Sequence, residues 1–281
     1  MLTDTIHTDL PMTAPAETHV LEVPGARLHY ELRGTGPLVV LVGSPMDADP
    51  FAPLADLLAT DYTVLTADPR GINRSSVDDP DQDSTPRLRA DDLARLIRCV
   101  DAGPATVLGS SGAAVTALAL VEAHPELVGT VIAHEPPLCE LLDDRAELAA
   151  RTDEMIATYL GGDVLGAWAM FFATAGMTVP DGVLAAMFGG DRDPRVVADE
   201  RFWFAHELAP SVRWQPDLAT LRAVPTRVMI GLGEDSGGEL CERTSTALAT
   251  ALGVEPTRFP GGHVGFTEEP EAFHARLREV L

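Results

Sequence analysis

Ser111 lies in the run ATVLGSSGAAVTALA (Ala105 to Ala119), where an apolar, β-branched strand pattern meets Gly109-Ser110-Ser111-Gly112-Ala113 and a small-residue helical pattern follows at once. A serine on so tight a strand-to-helix turn is lifted off the sheet edge, and small flanking residues let the turn close. The first N–H groups of the helix then point at whatever negative charge forms above the hydroxyl. That is the setting of a nucleophile. A serine hydroxyl alone is a weak one, so the chain must also supply a base within hydrogen-bond reach and an acid that orients the base.

The base expected from the sequence is His263, in Phe259-Pro260-Gly261-Gly262-His263-Val264-Gly265-Phe266, a glycine-rich loop between the last strand pattern and the closing helix. His29, His124, His134 and His206 fall at a strand, a helix end before proline, a strand end and a helical segment, and are read as structural; His7, His19 and His274 sit near the termini. No histidine pair has H-E-x-x-H spacing, so no metal is expected. The acid is expected after the strand pattern Thr226 to Leu232, where Gly233-Glu234-Asp235-Ser236 offers two carboxylates. Asp235 is preferred for its short side chain, with Glu234 and Glu135 as alternatives. The oxyanion that forms on acyl transfer needs two donors. Gly112 after the nucleophile and Ser44, after the strand pattern Leu38 to Val42, are the candidates. Arg70, in the turn Asp68-Pro69-Arg70-Gly71, is read as a structural tie between loops.

Elements able to hold these groups follow from periodicity. Strand patterns at His19 to Val23, Arg27 to Leu32, Leu38 to Val42, Tyr62 to Ala67, Ala105 to Gly109, Leu127 to Ala133, Thr226 to Leu232 and Thr257 to Phe259 alternate with helical patterns at Phe51 to Ala59, Pro86 to Val100, Ala113 to Ala123, Leu240 to Leu252 and Glu269 to Leu281. Such alternation implies an α/β protein with a mostly parallel, doubly wound sheet. Gly34 and Gly36 precede a strand where a dinucleotide fingerprint requires a helix, so that reading fails. Between Leu138 and Ala223 only helical patterns occur, including Leu141 to Leu160 and Val164 to Ala173. A connection so long is expected to be a helical cap. The division expected is a loose tail over 1–17, a first core part over 18–137, the cap over 138–223 and a second core part over 224–281. Nine of the fifteen Phe, Trp and Tyr residues fall between 159 and 214. Trp168, Phe172, Trp203 and Met170 are expected to line an apolar pocket.

Composition narrows the function further. The chain has 281 residues and a formal charge of −23, which argues against nucleic acid and anionic membranes, since both need a basic face. All 20 basic residues are arginine, so Schiff-base chemistry, pyridoxal phosphate anchoring and a lysine-ended phosphate loop are excluded. Cys99, Cys139 and Cys241 form no C-x-x-C pair and no disulfide framework, which fits a reducing compartment. The first residues lack the basic and apolar regions of a signal peptide, and no window approaches the ~20 apolar residues of a spanning helix. A cytoplasmic protein is expected, monomeric or homodimeric, acting on a small apolar molecule without a cofactor.

The order Ser111, Asp235, His263, the G-x-S-x-[small] turn, the Asp68-Pro69-Arg70-Gly71 turn and the Gly262-His263 loop together resemble the α/β-hydrolase superfamily, from about His19 to the C-terminus. Ala113 stands where the last glycine of the turn is usual, Val42-Gly43 where many members have His-Gly, and Ser236 where an aspartate often follows the glycine after the strand. The resemblance implies an α/β-hydrolase fold and a two-step reaction in which Ser111 attacks an acyl carbonyl, His263 moves the protons and water releases the acyl-enzyme. An ester, lactone or thioester of small to medium size is the expected substrate. Members of the superfamily also hydrolyse C–C bonds, perform perhydrolysis or catalyse cofactor-free eliminations and rearrangements, and a non-catalytic ligand binder is a further alternative. Because position 111 is not aspartate, the aspartyl-ester route of epoxide hydrolases and dehalogenases is disfavoured.

Overall fold

The computed structural model describes residues 16–180 and 182–281. Its strands are β1 (Glu17–Val23), β2 (Ala26–Arg33), β3 (Leu38–Val42), β4 (Thr63–Ala67), β5 (Ser76–Val77), β6 (Ala105–Ser110), β7 (Val128–His134), β8 (Arg227–Gly233) and β9 (Thr257–Phe259). They form one sheet in the order β1-β2-β4-β3-β6-β7-β8-β9, with β5 paired to β2. β1, β2 and β4 pair antiparallel, and every pairing from β4 through β3 to β9 is parallel. The sheet is thus mostly parallel, as the alternation of elements requires.

Parallel strands are covered on both faces, which explains why β3, LVVLV, is buried at all five positions. The helices that follow the strands are α1 (Ala52–Leu58), α2 (Pro86–Val100) and α3 (Gly112–Ala123). After β7 come α4 (Arg145–Leu160), α5 (Val164–Ala175), α6 (Val183–Phe188), α7 (Pro194–Phe202), α8 (Leu208–Val212) and α9 (Leu218–Ala223); α10 (Leu240–Leu252), α11 (Gly265–Glu268) and α12 (Pro270–Arg278) complete the chain. One face of the sheet packs against Ala90, Leu93 and Ile97 of α2, the Ala/Leu/Val surface of α3, and Leu248 of α10. The other face packs against Leu54 and Leu58 of α1 and Phe266, Phe273 and Leu277 of α11 and α12. A third apolar cluster joins Leu148, Met155, Tyr159, Trp168, Trp203 and Phe204 within the helices between β7 and β8, and Leu240 of α10 belongs to it.

Several expected boundaries move. The closing helix is two, because Pro270 offers no N–H to continue α11 and instead opens α12. The helix expected from Leu141 begins at Arg145, after a short turn at Cys139–Leu141. β5 was not expected, since two residues carry no period to detect. Glu17, assigned to the tail, opens β1; residues 1–15 of that tail lie outside the described residues. Among the described residues no helix is long and apolar enough to cross a membrane.

Because β3, β6, β7 and β8 run parallel, their C-terminal ends share one edge of the sheet. Ser44 follows β3, Ser111 follows β6, Glu135 follows β7, and Glu234 and Asp235 follow β8. The crevice beyond that edge is where open α/β sheets bind their ligands.

Candidate active site

Ser111 occupies the hinge between β6 and α3, at φ 58° and ψ −125°. This backbone conformation costs an L-residue about 1–3 kcal/mol and persists only where its surroundings impose it. Two contacts do so here: the Ser111 N–H donates to His134 O at 2.9 Å, and Ser111 O accepts from the Ala114 N–H at 2.9 Å. Gly109 is obligatory for the same closure, since a Cβ there would lie 2.4 Å from the carbonyl oxygen of Ala113. The hydroxyl is not spent on capping α3. Ser110 beside it is fully buried, so Ser111 is the serine left facing the crevice.

His263 lies on the loop between β9 and α11. Its Nδ1–H donates to Glu135 Oε2 at 2.6 Å, while Glu135 Oε1 accepts from the Gly233 N–H at 2.8 Å. Glu135 is fully buried, at φ 52°, with its own N–H donated to Gly231 O. The expectation for the acid is therefore corrected: the imidazole pairs with Glu135, not with Asp235. The reason is local. Glu135 extends from the end of β7 across the end of β8 and occupies the Gly233 N–H, whereas Asp235 and Glu234 sit exposed in the following turn. That turn instead braces the histidine loop through its backbone, Glu234 N–H to Phe259 O and Asp235 N–H to Gly261 O.

Burial would raise the Glu135 carboxyl, but the hydrogen bond from His263 and the neighbouring ring charge outweigh it and hold the group at about 2. Burial likewise opposes a charge on His263, yet Cys241 and then Glu135 beside the ring prevail and lift it well above the ordinary 6.5. His134 is the contrasting case. Its ring is enclosed by the edges of Phe259, Phe266 and Phe273, and burial pushes it down to about 4, as suits a neutral structural group.

Ser111, Gly112, Ser44 and His263 line one cavity of about 370 Å³. Ser44 abuts the start of α3 so closely that a Cβ on Gly112 would meet its hydroxyl at 2.6 Å. The remaining wall is mostly apolar and comes mainly from the helices between β7 and β8, including Met155, Trp168, Phe172, Trp203 and Leu208. Of the four residues expected to line an apolar pocket, Trp168, Phe172 and Trp203 line this cavity. Met170 does not line the cavity: Trp168, Phe171 and Phe172 project from one face of α5, and position 170 falls on another. Trp168 is fixed by stacking on Phe188 and Trp203 and by donating Nε1–H to Glu200 Oε2 at 2.9 Å. Arg70 ties its turn not to another loop but to α2, through a buried bidentate pair with Asp92 at 2.7 and 2.8 Å.

One buried carboxylate near the site was not expected from the sequence. A π-helical turn at Trp203–Glu207 places Glu207, fully buried, against Ser44, whose hydroxyl donates to Glu207 Oε1. Arg89 Nη1 approaches the same carboxylate to 3.7 Å and otherwise spends its donors on Ser84, Thr116 and Ser211. Burial raises Glu207 and lowers Arg89, so each depends on the other for compensation. No sequence period announces a π-turn, and an i+4 reading rotates Glu207 away from Ser44. Glu207→Leu strands Arg89 without its counter-charge, an expected loss of about 3–5 kcal/mol of stability, read as a lower urea midpoint at unchanged slope. An unchanged midpoint shows that the pair carries no stability.

What the arrangement can do is clear from its chemistry. A hydroxyl held off the sheet edge, an imidazole fixed by a buried carboxylate, a glycine at a helix N-terminus and Ser44 against it surround one mostly apolar space. Comparison with known proteins fits that geometry. A model described as "Alpha/beta hydrolase family" matches residues 38–276. The chain is similar to the uncharacterized hydrolase YraK of Bacillus subtilis (31% identity over 93% of this chain and 94% of that protein). It is also similar to a zearalenone hydrolase of Bionectria ochroleuca (27% identity over 89% of this chain and 91% of that protein). Among solved structures, Est816, described as an N-acyl homoserine lactone degrading enzyme, superposes with a TM-score of 0.71 at 19% identity, covering 94% of this chain and 100% of that one; this likeness carries the fold alone.

Proposed function

The chain belongs to the alpha/beta hydrolase family, and from that premise we propose that it is a serine hydrolase cleaving a small-to-medium apolar ester, lactone or thioester through an acyl-enzyme on Ser111. The observation that carries this reading is the 2.6 Å bond between His263 and buried Glu135, with His263 and Ser111 lining the same cavity. Ser111 Oγ attacks the acyl carbon while His263 takes its proton, and the Gly112 and Ser44 amides receive the developing oxyanion. Collapse of that intermediate transfers the proton from His263 to the departing alcohol or thiol. A water, deprotonated by His263, then attacks the acyl carbon, and Ser111 leaves with the proton as the acid is released. Glu135 stays ionised throughout and stabilises the imidazolium.

The helices between β7 and β8 act in this reading as a cap that closes an apolar chamber over Ser111. The chamber's aromatic wall suits an apolar acyl or alcohol part. The name of the zearalenone hydrolase supports a lactone among the three substrate forms. Labelling with a fluorophosphonate tests the proposal. The parent is expected to label and to turn over short p-nitrophenyl esters, and Ser111→Ala to do neither. A folded parent that never labels overturns the serine mechanism.

The charge on His263 sets the expected pH profile. Its ring accepts a proton only when neutral, and Glu135, Cys241 and Glu239 face it and bear on its charge. A base lifted above 6.5 is inactive below that value, so kcat/KM is expected to rise with pH along a limb centred above 6.5. An acid limb centred below it contradicts the pairing described.

A further inference from the structure

Cys241 has no place in the reaction above, although its side chain lies beside the reacting groups. It sits in the first turn of α10 and lines the cavity together with Ser111 and His263. Its Sγ, a ring nitrogen of His263 and a carboxylate oxygen of Glu135 all lie within 4.8 Å of one another. Sequence spacing hides this trio, whose members span 128 residues. The fold brings the ends of β7, α10 and the β9–α11 loop together.

Thiolate, imidazole and carboxylate are the donors of a tetrahedral zinc site with one open position. Bonds of about 2.0–2.3 Å to one ion need donor atoms about 3.2–3.8 Å apart. The 2.6 Å contact between His263 Nδ1 and Glu135 would open slightly, and the sulfur, within 4.8 Å of both, is in reach of that range by side-chain rotation. Charge also balances: a divalent ion with one thiolate, one carboxylate and a neutral ring sums to zero, so its partial burial carries no net charge. A thiolate selects borderline and soft ions over Mg²⁺ or Ca²⁺.

The geometry points to a binding site for Zn²⁺ or a similar thiophilic divalent cation on Glu135, Cys241 and His263, whose occupancy switches the Ser111 chemistry off. Binding replaces the thiol proton, and the ring proton where the ring is charged, and releases them to solvent. No electrons move. A metal on Nδ1, the nitrogen that faces Glu135, leaves the neutral ring's proton on Nε2, which then has no lone pair to take a proton from a hydroxyl, and the carboxylate is drawn from its orienting role. Metal binding and turnover are therefore mutually exclusive.

The switching part rests on the serine hydrolase reading, whereas the metal site can be tested without it. Chelator-treated protein is titrated with Co²⁺, and a thiolate-to-cobalt charge-transfer band is expected in the near ultraviolet. That band is lost in both Cys241→Ser and Cys241→Ala, and Zn²⁺ affinity, measured against a chromogenic chelator, falls by about 100-fold or more in each. In parallel, Zn²⁺ is expected to block fluorophosphonate labelling of the parent reversibly with EDTA, while Mg²⁺ at equal concentration does not. Each cysteine variant, compared with its own metal-free rate, loses that sensitivity. A cobalt band that survives both substitutions overturns the site, and Zn²⁺ that binds yet leaves labelling untouched overturns the switch. A parent that never labels even without metal refutes the hydrolase reading instead, and the cobalt spectrum still decides the site.

Discussion

His263→Ala is expected to lower kcat/KM for a p-nitrophenyl ester by about 10⁴- to 10⁶-fold, because in the proposed mechanism nucleophile and base act as one unit and losing either removes the benefit of both. In the proposed mechanism the residual rate comes from the Ser44 and Gly112 amides and from binding in the apolar chamber, which the substitution leaves in place. The double variant Ser111→Ala/His263→Ala is expected to be no slower than either single one, since their effects do not add. Steady-state kinetics of the three variants, with circular dichroism to establish folding, checks this. Additive losses mean that the two side chains serve separate steps.

Glu135→Gln is the second large effect, an expected fall of about 10³- to 10⁴-fold in kcat with little change in KM. The amide keeps the shape but can no longer stabilise a charged ring, and its NH₂ group turned toward Nδ1 selects the wrong tautomer. Asp235→Asn and Glu234→Gln are expected to leave kcat unchanged, since both side chains are exposed on a turn whose backbone alone supports the histidine loop. A larger loss for Asp235→Asn than for Glu135→Gln reverses the assignment. The same substitution carries a signature in stability. A carboxyl held at about 2, below its unfolded value, contributes stability that is present above that unfolded value and is lost as pH falls toward 2. Removing it is expected to flatten the acid limb of the unfolding curve.

The parts legible in the sequence were those whose cause is local. Ser111 was readable because a strand pattern, two glycines and a run of small residues impose the turn within a few positions. β3, β9, α2 and α10 match their expected bounds because each is framed by a period change or a proline or glycine signal. The partner of His263 was not local. β7 and β8 are adjacent parallel strands and each ends at a carboxylate, so the choice between Glu135 and Asp235 turns on which side chain reaches across the strand ends. Distance along the chain does not encode that. Met170 failed for a related reason: composition gives an aromatic-rich segment, but only the phase of α5 decides which residues face the cavity. Glu207 depends on one turn of π-helix, and Cys241 on three segments meeting, and neither has a one-dimensional trace.

The Ser44–Glu207 contact has a bearing on how such chains diversify. It ties the β3 loop to a residue 163 positions away, and the same carboxylate is the counter-charge of Arg89 on α2. Residues 139–223 are thus not a detachable module. Grafting the corresponding segment of a relative that lacks this glutamate would leave an arginine stranded in the interior and untether the loop that bears Ser44. Transplants that alter selectivity in this scaffold should therefore carry positions 44, 89 and 207 as a set.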